Sequence, residues 1–163
     1  MRRSLAERGV IVMKESRVIA RIAPTIGGSL DIAGLIIAII KNGVRSISVG
    51  VRFEHAETAS RLGSVAFLDS DEVDDFLNAL NFIISCAADM AVRARDYTEV
   101  TFSTRDNLTV GFLQDGQTQQ AMARLSAGHQ FLGFRVTQLH TIRDSVIQAN
   151  EYVSTRRAAW EPR

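Results

Sequence analysis

The sequence predicts an α+β domain made mainly of antiparallel sheet, arranged as two successive strand-rich units that each end in an amphipathic helix, ββββα-ββββα. Three observations predict it. Short alternating or β-branched apolar segments recur between Gly and Asx punctuation. Tight-turn pairs, Asn42-Gly43 and Asp115-Gly116, separate some of these segments. Two longer stretches, beginning near residues 70 and 137, change to helical spacing of apolar side chains.

Ser16 to Ile22 alternates weakly and runs into Pro24 and Gly27-Gly28, which suits a short edge strand. Leu30 to Ile40 is apolar and β-branched, and Val44 to Glu54 follows across Asn42-Gly43. A two-residue turn there sets Ala38 and Ile36 against Ile47 and Val49, with Val51 and Phe53 continuing that face. The other face sets Ile39 and Ile37 against Ser46 and Ser48, with Arg52 beyond; being half apolar, it requires a cover. A helical reading of 30–40 stays open at this stage. Gly63 to Leu68 reads as the fourth strand. A helix follows, capped by Asp69 or Ser70 and carrying Val73, Phe76, Leu77, Leu80, Ile83, Ile84 and Ala87 toward Val92.

The second half repeats the plan. Tyr97 to Thr104 and Leu108 to Phe112 alternate on either side of Arg105-Asp106-Asn107. A three-residue loop with left-handed Asn107 pairs Phe102 with Val110 and Val100 with Phe112. A turn at Asp115-Gly116 would set Val110 opposite Ala121 and Leu108 opposite Ala123. Gln130 to Val136 is the last strand, and Thr137 caps a helix striped by Leu139, Ile142, Val146, Ala149 and Val153.

At 163 residues a single domain is expected, one that buries roughly 70% of its unfolded surface without a staple. Residues 13–154 are read as that domain, with a pseudo-repeat of 16–93 and 97–154. Residues 1–12 are read as a disordered extension and 155–163 as a frayed tail. The longest apolar run, Ile32 to Ile40, is nine residues, against roughly 20 for a membrane span. No signal-peptide core follows Arg2 and Arg3, so a cytoplasmic, non-membrane protein is expected.

Charge and motifs exclude several classes of chemistry. The formal net charge of +1 argues against a strongly basic nucleic-acid coat. The single Cys86 excludes an intrachain disulfide and reads as a small buried hydrophobe on the first helix. Asp69, Asp71, Glu72, Asp74 and Asp75 fail as a calcium loop, because Val73, Asp74 and Leu80 occupy its ligand and glycine positions; they read as a solvated helix start. His55 is placed in a loop, His129 after Gly128, and His140 one turn before Asp144; none is at metal-ligand spacing to another. No nucleophile elbow, Walker loop or dinucleotide fingerprint is present, so neither metal nor cofactor is expected and no catalytic residue is assigned. Thr25-Ile26-Gly27-Gly28-Ser29 reads as a turn.

What remains is contact surface. Six phenylalanines (Phe53, Phe67, Phe102, Phe112, Phe131, Phe134) lie on strands and read mostly as core. Candidate binding residues lie on the polar strand faces: Arg45, Ser46, Ser48, Arg52, Thr101, Ser103 and Arg124. Ile37 and Ile39 are candidate oligomer contacts. Two of the 19 basic residues are Lys (Lys14 and Lys41), leaving 17 Arg scattered along the chain. This reads as codon bias of a GC-rich bacterial or phage genome more than as a nucleic-acid surface.

In architecture, two successive four-strand-plus-helix units resemble the Whirly and PUR-repeat nucleic-acid binders. That resemblance spans residues 16–154 and implies single-strand binding on curved sheets. The Lys-Gly-rich strand signature of Whirly proteins is absent, so no site residue is carried over. The leading expectation is a non-enzymatic domain that self-associates, as a homo-oligomer, and binds a protein or small-molecule partner through a sheet surface. Single-stranded DNA or RNA binding is the runner-up, and an enzyme of unfamiliar type is the third reading.

Overall fold

Asn42 and Gly43 both take positive φ, 52° and 76°, as a primed two-residue turn requires. They close the hairpin of β2 (Ser29–Lys41) and β3 (Val44–Ala56), with Lys41 opposite Val44. The computed structural model describes residues 10–25, 28–56, 64–125 and 131–160. Residues 30–40 are therefore strand, in the expected register: Ala38 faces Ile47, Ile36 faces Val49, and Ile37 and Ile39 face Ser48 and Ser46. β1 (Ile11–Ile22) and β4 (Ser64–Asp69) flank the pair in an antiparallel sheet of order β1-β2-β3-β4. β1 begins at Ile11, opposite Ile40, inside the span expected to be an extension.

The first helix, α1 (Val73–Met90), starts later than its acidic cap signals suggested. Asp69 is still paired to Gly50 in the sheet, so a turn intervenes in which the Glu72 N–H donates to the Asp69 carbonyl at 2.9 Å. Glu72 is the N-cap, and no side chain caps the helix.

The second unit contains β5 (Arg95–Ser103), β6 (Thr109–Gly116), β7 (Thr118–Arg124) and β8 (Leu132–Phe134), again in sequential antiparallel order, followed by α2 (Gln138–Arg157). Phe102 faces Val110 and Val100 faces Phe112 across the three-residue loop, with Asn107 left-handed at φ 60°. One register differs from expectation. The second tight turn is Gly116-Gln117, with Gly116 at φ 60°, so Phe112 faces Ala121 and Val110 faces Ala123. The turn moves by one residue and the register by two, so every side chain keeps its face.

Each helix packs mainly on the sheet of the other unit. α1 lies against β5 and β6, whereas α2 lies across β1, β2 and β3 and touches α1. Gly34 of β2 makes the α2 crossing close: a Cβ there would sit 3.0 Å from the Ala149 carbonyl oxygen and 3.0 Å from Val153 Cγ1. The apolar stripes merge into one core containing Phe53, Phe76, Leu80, Phe112, Phe134, Ile142 and Val146. Phe76 of α1 bridges the units, its ring 5.9 Å from Phe53 and 6.3 Å from Phe102.

Loops are exchanged in the same way. Thr25, between β1 and β2, donates its N–H and hydroxyl to the Gly133 carbonyl of β8 at 2.7 and 2.9 Å. Asp106, between β5 and β6, accepts the Phe67 N–H of β4 at 2.9 Å. The last strand of each unit is thus held by the first loop of the other. Among the described residues, no helix is long and apolar enough to cross a membrane.

Candidate functional site

Strand alternation gives each sheet one face toward this core and one face away from it. On the first sheet the outward face carries Leu35, Ile37 and Ile39 on β2 and Ser46, Ser48 and Arg52 on β3. Ile37 is only 1% exposed and Ile39 8%, and Val10, Val12 and Phe67 pack on this cluster. The apolar half of this face is therefore covered within a single chain. Ile37 and Ile39, expected on an uncovered face, are buried in the single chain. Arg52 pairs with Glu54 at 3.0 Å, and its Nε is buried without a hydrogen-bond partner among the described residues.

Arg45 does not belong with these residues. It has the parity of Ile47 and Val49, so it points to the inward face, where its guanidinium lies 5.5 Å from the Trp160 ring centre. Trp160 lies beyond the end of α2, in the span expected to fray. Its indole N–H donates to Glu15 at 2.9 Å, beside Tyr152 Oη at 2.7 Å and Arg156 Nε at 3.0 Å.

The outward face of the second sheet is exposed along β5 and at Phe131, while Thr109, Gly111 and Met122 between them are buried. Thr101 and Ser103 of β5 are exposed, and the Ser103 and Thr109 hydroxyls share a 2.8 Å hydrogen bond. Thr109 faces Arg124 of β7, whose guanidinium stacks 5.0 Å from the Phe131 ring centre. Phe131 is 46% exposed despite its strand-like neighbourhood, and Tyr97 is 62% exposed. Tyr97 donates its hydroxyl to Glu99 at 2.7 Å, and this bond to a carboxylate raises the phenol pKa. Gly111 forms the floor between Thr101 and Met122. Gly111 is buried, and a Cβ there would fall 2.7 Å from Thr101 Cγ2 and 2.9 Å from Thr101 Cα, so Thr101 occupies the space over this backbone.

Thr101, Ser103 and Arg124 are thus brought together on one face, and Ser46, Ser48 and Arg52 on another, while Arg45 joins neither. The sequence reading missed Tyr97 and left Phe131 among the core aromatics. Odd-numbered parity shared with Thr101 was the available signal for Tyr97.

The remaining chemical candidates are structural in their surroundings. Asp71 and Glu72 hold Arg105 of the β5–β6 loop, the latter at 3.2 Å, so the acidic cluster helps clasp the units together. His55 lies in β3 and not in a loop; it is 7% exposed, opposite Leu30 and Ser64, with Nε2 buried and without a hydrogen-bond partner among the described residues. Asp144 is paired with Arg143 at 2.8 Å. Cys86 is half-buried against the core. His129 lies outside the described residues. Among the described residues, no three His, Cys, Asp or Glu side chains gather where they could hold a metal ion. No protein-family model matches the sequence, and no curated protein resembles it closely enough to be called a relative.

Proposed function

We propose that this chain is a non-enzymatic binding and assembly domain that self-associates and takes a partner or ligand on the outward face of the second sheet. The observation that carries this reading is the contrast between the two faces. Leu35, Ile37 and Ile39 fill the first, whereas Thr101, Ser103 and Phe131 are exposed on the second, with Arg124 half-buried against the Phe131 ring. Hydroxyls and one cation on an aromatic ring suit a partner that offers both hydrogen bonds and a flat apolar group. The Ser103 hydroxyl is bonded to Thr109 and not to an activating base, which favours binding over catalysis.

Single-strand nucleic-acid binding is a second reading, favoured by Phe131 and Tyr97 as exposed rings with Arg124 beside one of them. Amide spectra recorded during titration with a fragment library, and separately with oligo(dT) and oligo(U), test both readings. Shifts gathered at Thr101, Ser103, Arg124 and Phe131 support the assignment; hits gathered on another surface overturn it. Oligonucleotide affinity that weakens as salt rises and is lost in Phe131→Ala favours the second reading. No affinity at low salt removes it.

A further inference from the structure

Each sheet has two edges, and the structure treats them differently. The β4 and β8 edges are met by Asp106 and Thr25 of the opposite unit. Among the described residues, the β1 edge meets nothing. Its residues Met13, Lys14, Ser16, Arg17 and Val18 are exposed, and the strand stays regular from Ile11 to Val18, where a register shift interrupts it. The free edge of β5 is shorter, because its own shift confines the regular run to Thr98–Ser103.

Hydrogen-bond parity shows which backbone groups β1 offers. The two-residue turn makes Lys41 and Val44 a hydrogen-bonded pair, so odd residues of β2 bond β3 and even ones bond β1. Ile40, Ala38, Ile36 and Gly34 face Ile11, Met13, Glu15 and Arg17. The N–H and C=O groups of Val12, Lys14, Ser16 and Val18 therefore point away from the sheet.

An unpaired edge is a template for another strand, and its charges disfavour several registers and favour one that opposes Glu15 and Arg17. A two-fold axis normal to the sheet keeps each side chain on its own face and passes beside a residue that pairs with its own copy. Axes at Lys14, Glu15 or Arg17 would each set like charges directly opposite, which is unfavourable. An axis at Ser16 sets Lys14 opposite Val18 and Glu15 opposite Arg17, twice over. Those Glu–Arg pairs fall at non-hydrogen-bonded positions, where side chains approach most closely. Arg17 stacks 5.6 Å over Tyr152 and has no ion pair among the described residues, whereas Glu15 already accepts from Arg156, Tyr152 and Trp160, so the crossing adds a charge contact to a carboxylate whose hydrogen bonds are made within its own chain. The Ser16 and Lys14–Val18 positions supply about six main-chain hydrogen bonds.

We infer that a second copy of this chain pairs antiparallel along β1, with Ser16 at the two-fold axis, joining two four-stranded sheets into one of eight. This inference rests on the self-association reading above and names its surface.

Sedimentation velocity over a concentration series tests it on four proteins. Wild type and Ser16→Ala should form the same dimer, since both keep the residue-16 N–H. Ser16→Pro removes an outward N–H without touching the β1–β2 ladder, and should sediment as a monomer with an unchanged far-ultraviolet spectrum and a melting temperature that no longer rises with protein concentration. Arg17→Glu places like charges at the crossing and should weaken dimerisation at least tenfold; it keeps the proposal falsifiable if Ser16→Pro fails to fold. A wild-type dimer that persists in Ser16→Pro and Arg17→Glu overturns the β1 surface and leaves self-association standing. A strictly monomeric wild type overturns both.

Discussion

Trp160 and Glu15 are joined by a 2.9 Å hydrogen bond from the indole N–H to the carboxylate, tying the segment after the last helix to the first strand. Arg156 and Tyr152 converge on the same carboxylate. Arg156 first, then Tyr152 and Trp160, hold the Glu15 pKa at about 2, below its ordinary 4.5. The folded state thus binds this proton more weakly than the unfolded one. Its contribution to stability is full above pH 4.5 and is lost as pH falls toward 2. Melting temperatures across that window should fall less steeply in Glu15→Gln than in wild type. Some slope will remain, because Arg21 also holds Asp31 below its usual range. Identical acid profiles would mean that the Glu15 cluster adds nothing to folding.

Gly34 sets how closely α2 can approach β2. In Gly34→Ala the added methyl meets the Ala149 carbonyl oxygen and Val153 Cγ1 at 3.0 Å each, and Tyr152 Cδ1 at 2.7 Å. Tyr152 can swing aside, but the helix backbone cannot. The expected cost is about 1–3 kcal/mol, measured by urea unfolding. Displacing Tyr152 also disturbs its bond to Glu15, so Gly34→Ala and Glu15→Gln should be non-additive.

The clasp between the units has its own signature. Asp106 accepts the Phe67 N–H on the far edge of β4. Asp106→Ala should destabilise by about 1–2 kcal/mol and should accelerate amide exchange at Phe67 more than at its neighbour Leu68, whose inward side chain stays in the core. Asp106→Asn retains an oxygen acceptor and should recover most of the protection. Uniform acceleration along β4 would show that the strand is held by packing and not by this bond.

Residue parity explains why so much of the fold was legible in the sequence. The turn at Asn42-Gly43 and the left-handed Asn107 fixed their hairpins, and even the misplaced turn after Asp115 left every face unchanged. What parity cannot say is which surface an apolar stripe will meet. The stripe of α2 was read correctly, yet its crossing to the sheet of the other unit has no local signal. For the same reason Ile37 and Ile39 looked uncovered: Phe67, which packs near them, lies two strands away across the sheet. Trp160 was read as tail because it follows Arg156-Arg157 in the last ten residues, and its partner Glu15 is remote in sequence. Of the candidate site, Thr101, Ser103 and Arg124 were legible because they alternate with core residues; Arg45 was grouped with the wrong face.

Among the described residues of the second unit, Gln114 is the polar residue most deeply set, fully buried in line with Val110 and Phe112. Its amide donates to the Arg93 and Gly116 carbonyls at 2.9 Å each and accepts from Gln119 Nε2 at 2.9 Å; Gln119 in turn reaches the Ala87 carbonyl at 2.8 Å. The pair ties the end of α1 to the β6–β7 turn. Gln114→Ala removes both donors, leaves Gln119 with one partner fewer and opens a cavity, at an expected cost of about 2–4 kcal/mol. Gln114→Glu preserves the shape but turns an ionised oxygen toward two carbonyl oxygens. Burial there raises the pKa of the introduced acid above its unfolded value. Stability relative to wild type should therefore be best at low pH and be lost as pH rises through that folded pKa. Chemical denaturation of the three proteins at two pH values measures it. If Glu and Gln prove equally stable at neutral pH, the amide donors do not hold this turn, and packing around residue 114 is what anchors it.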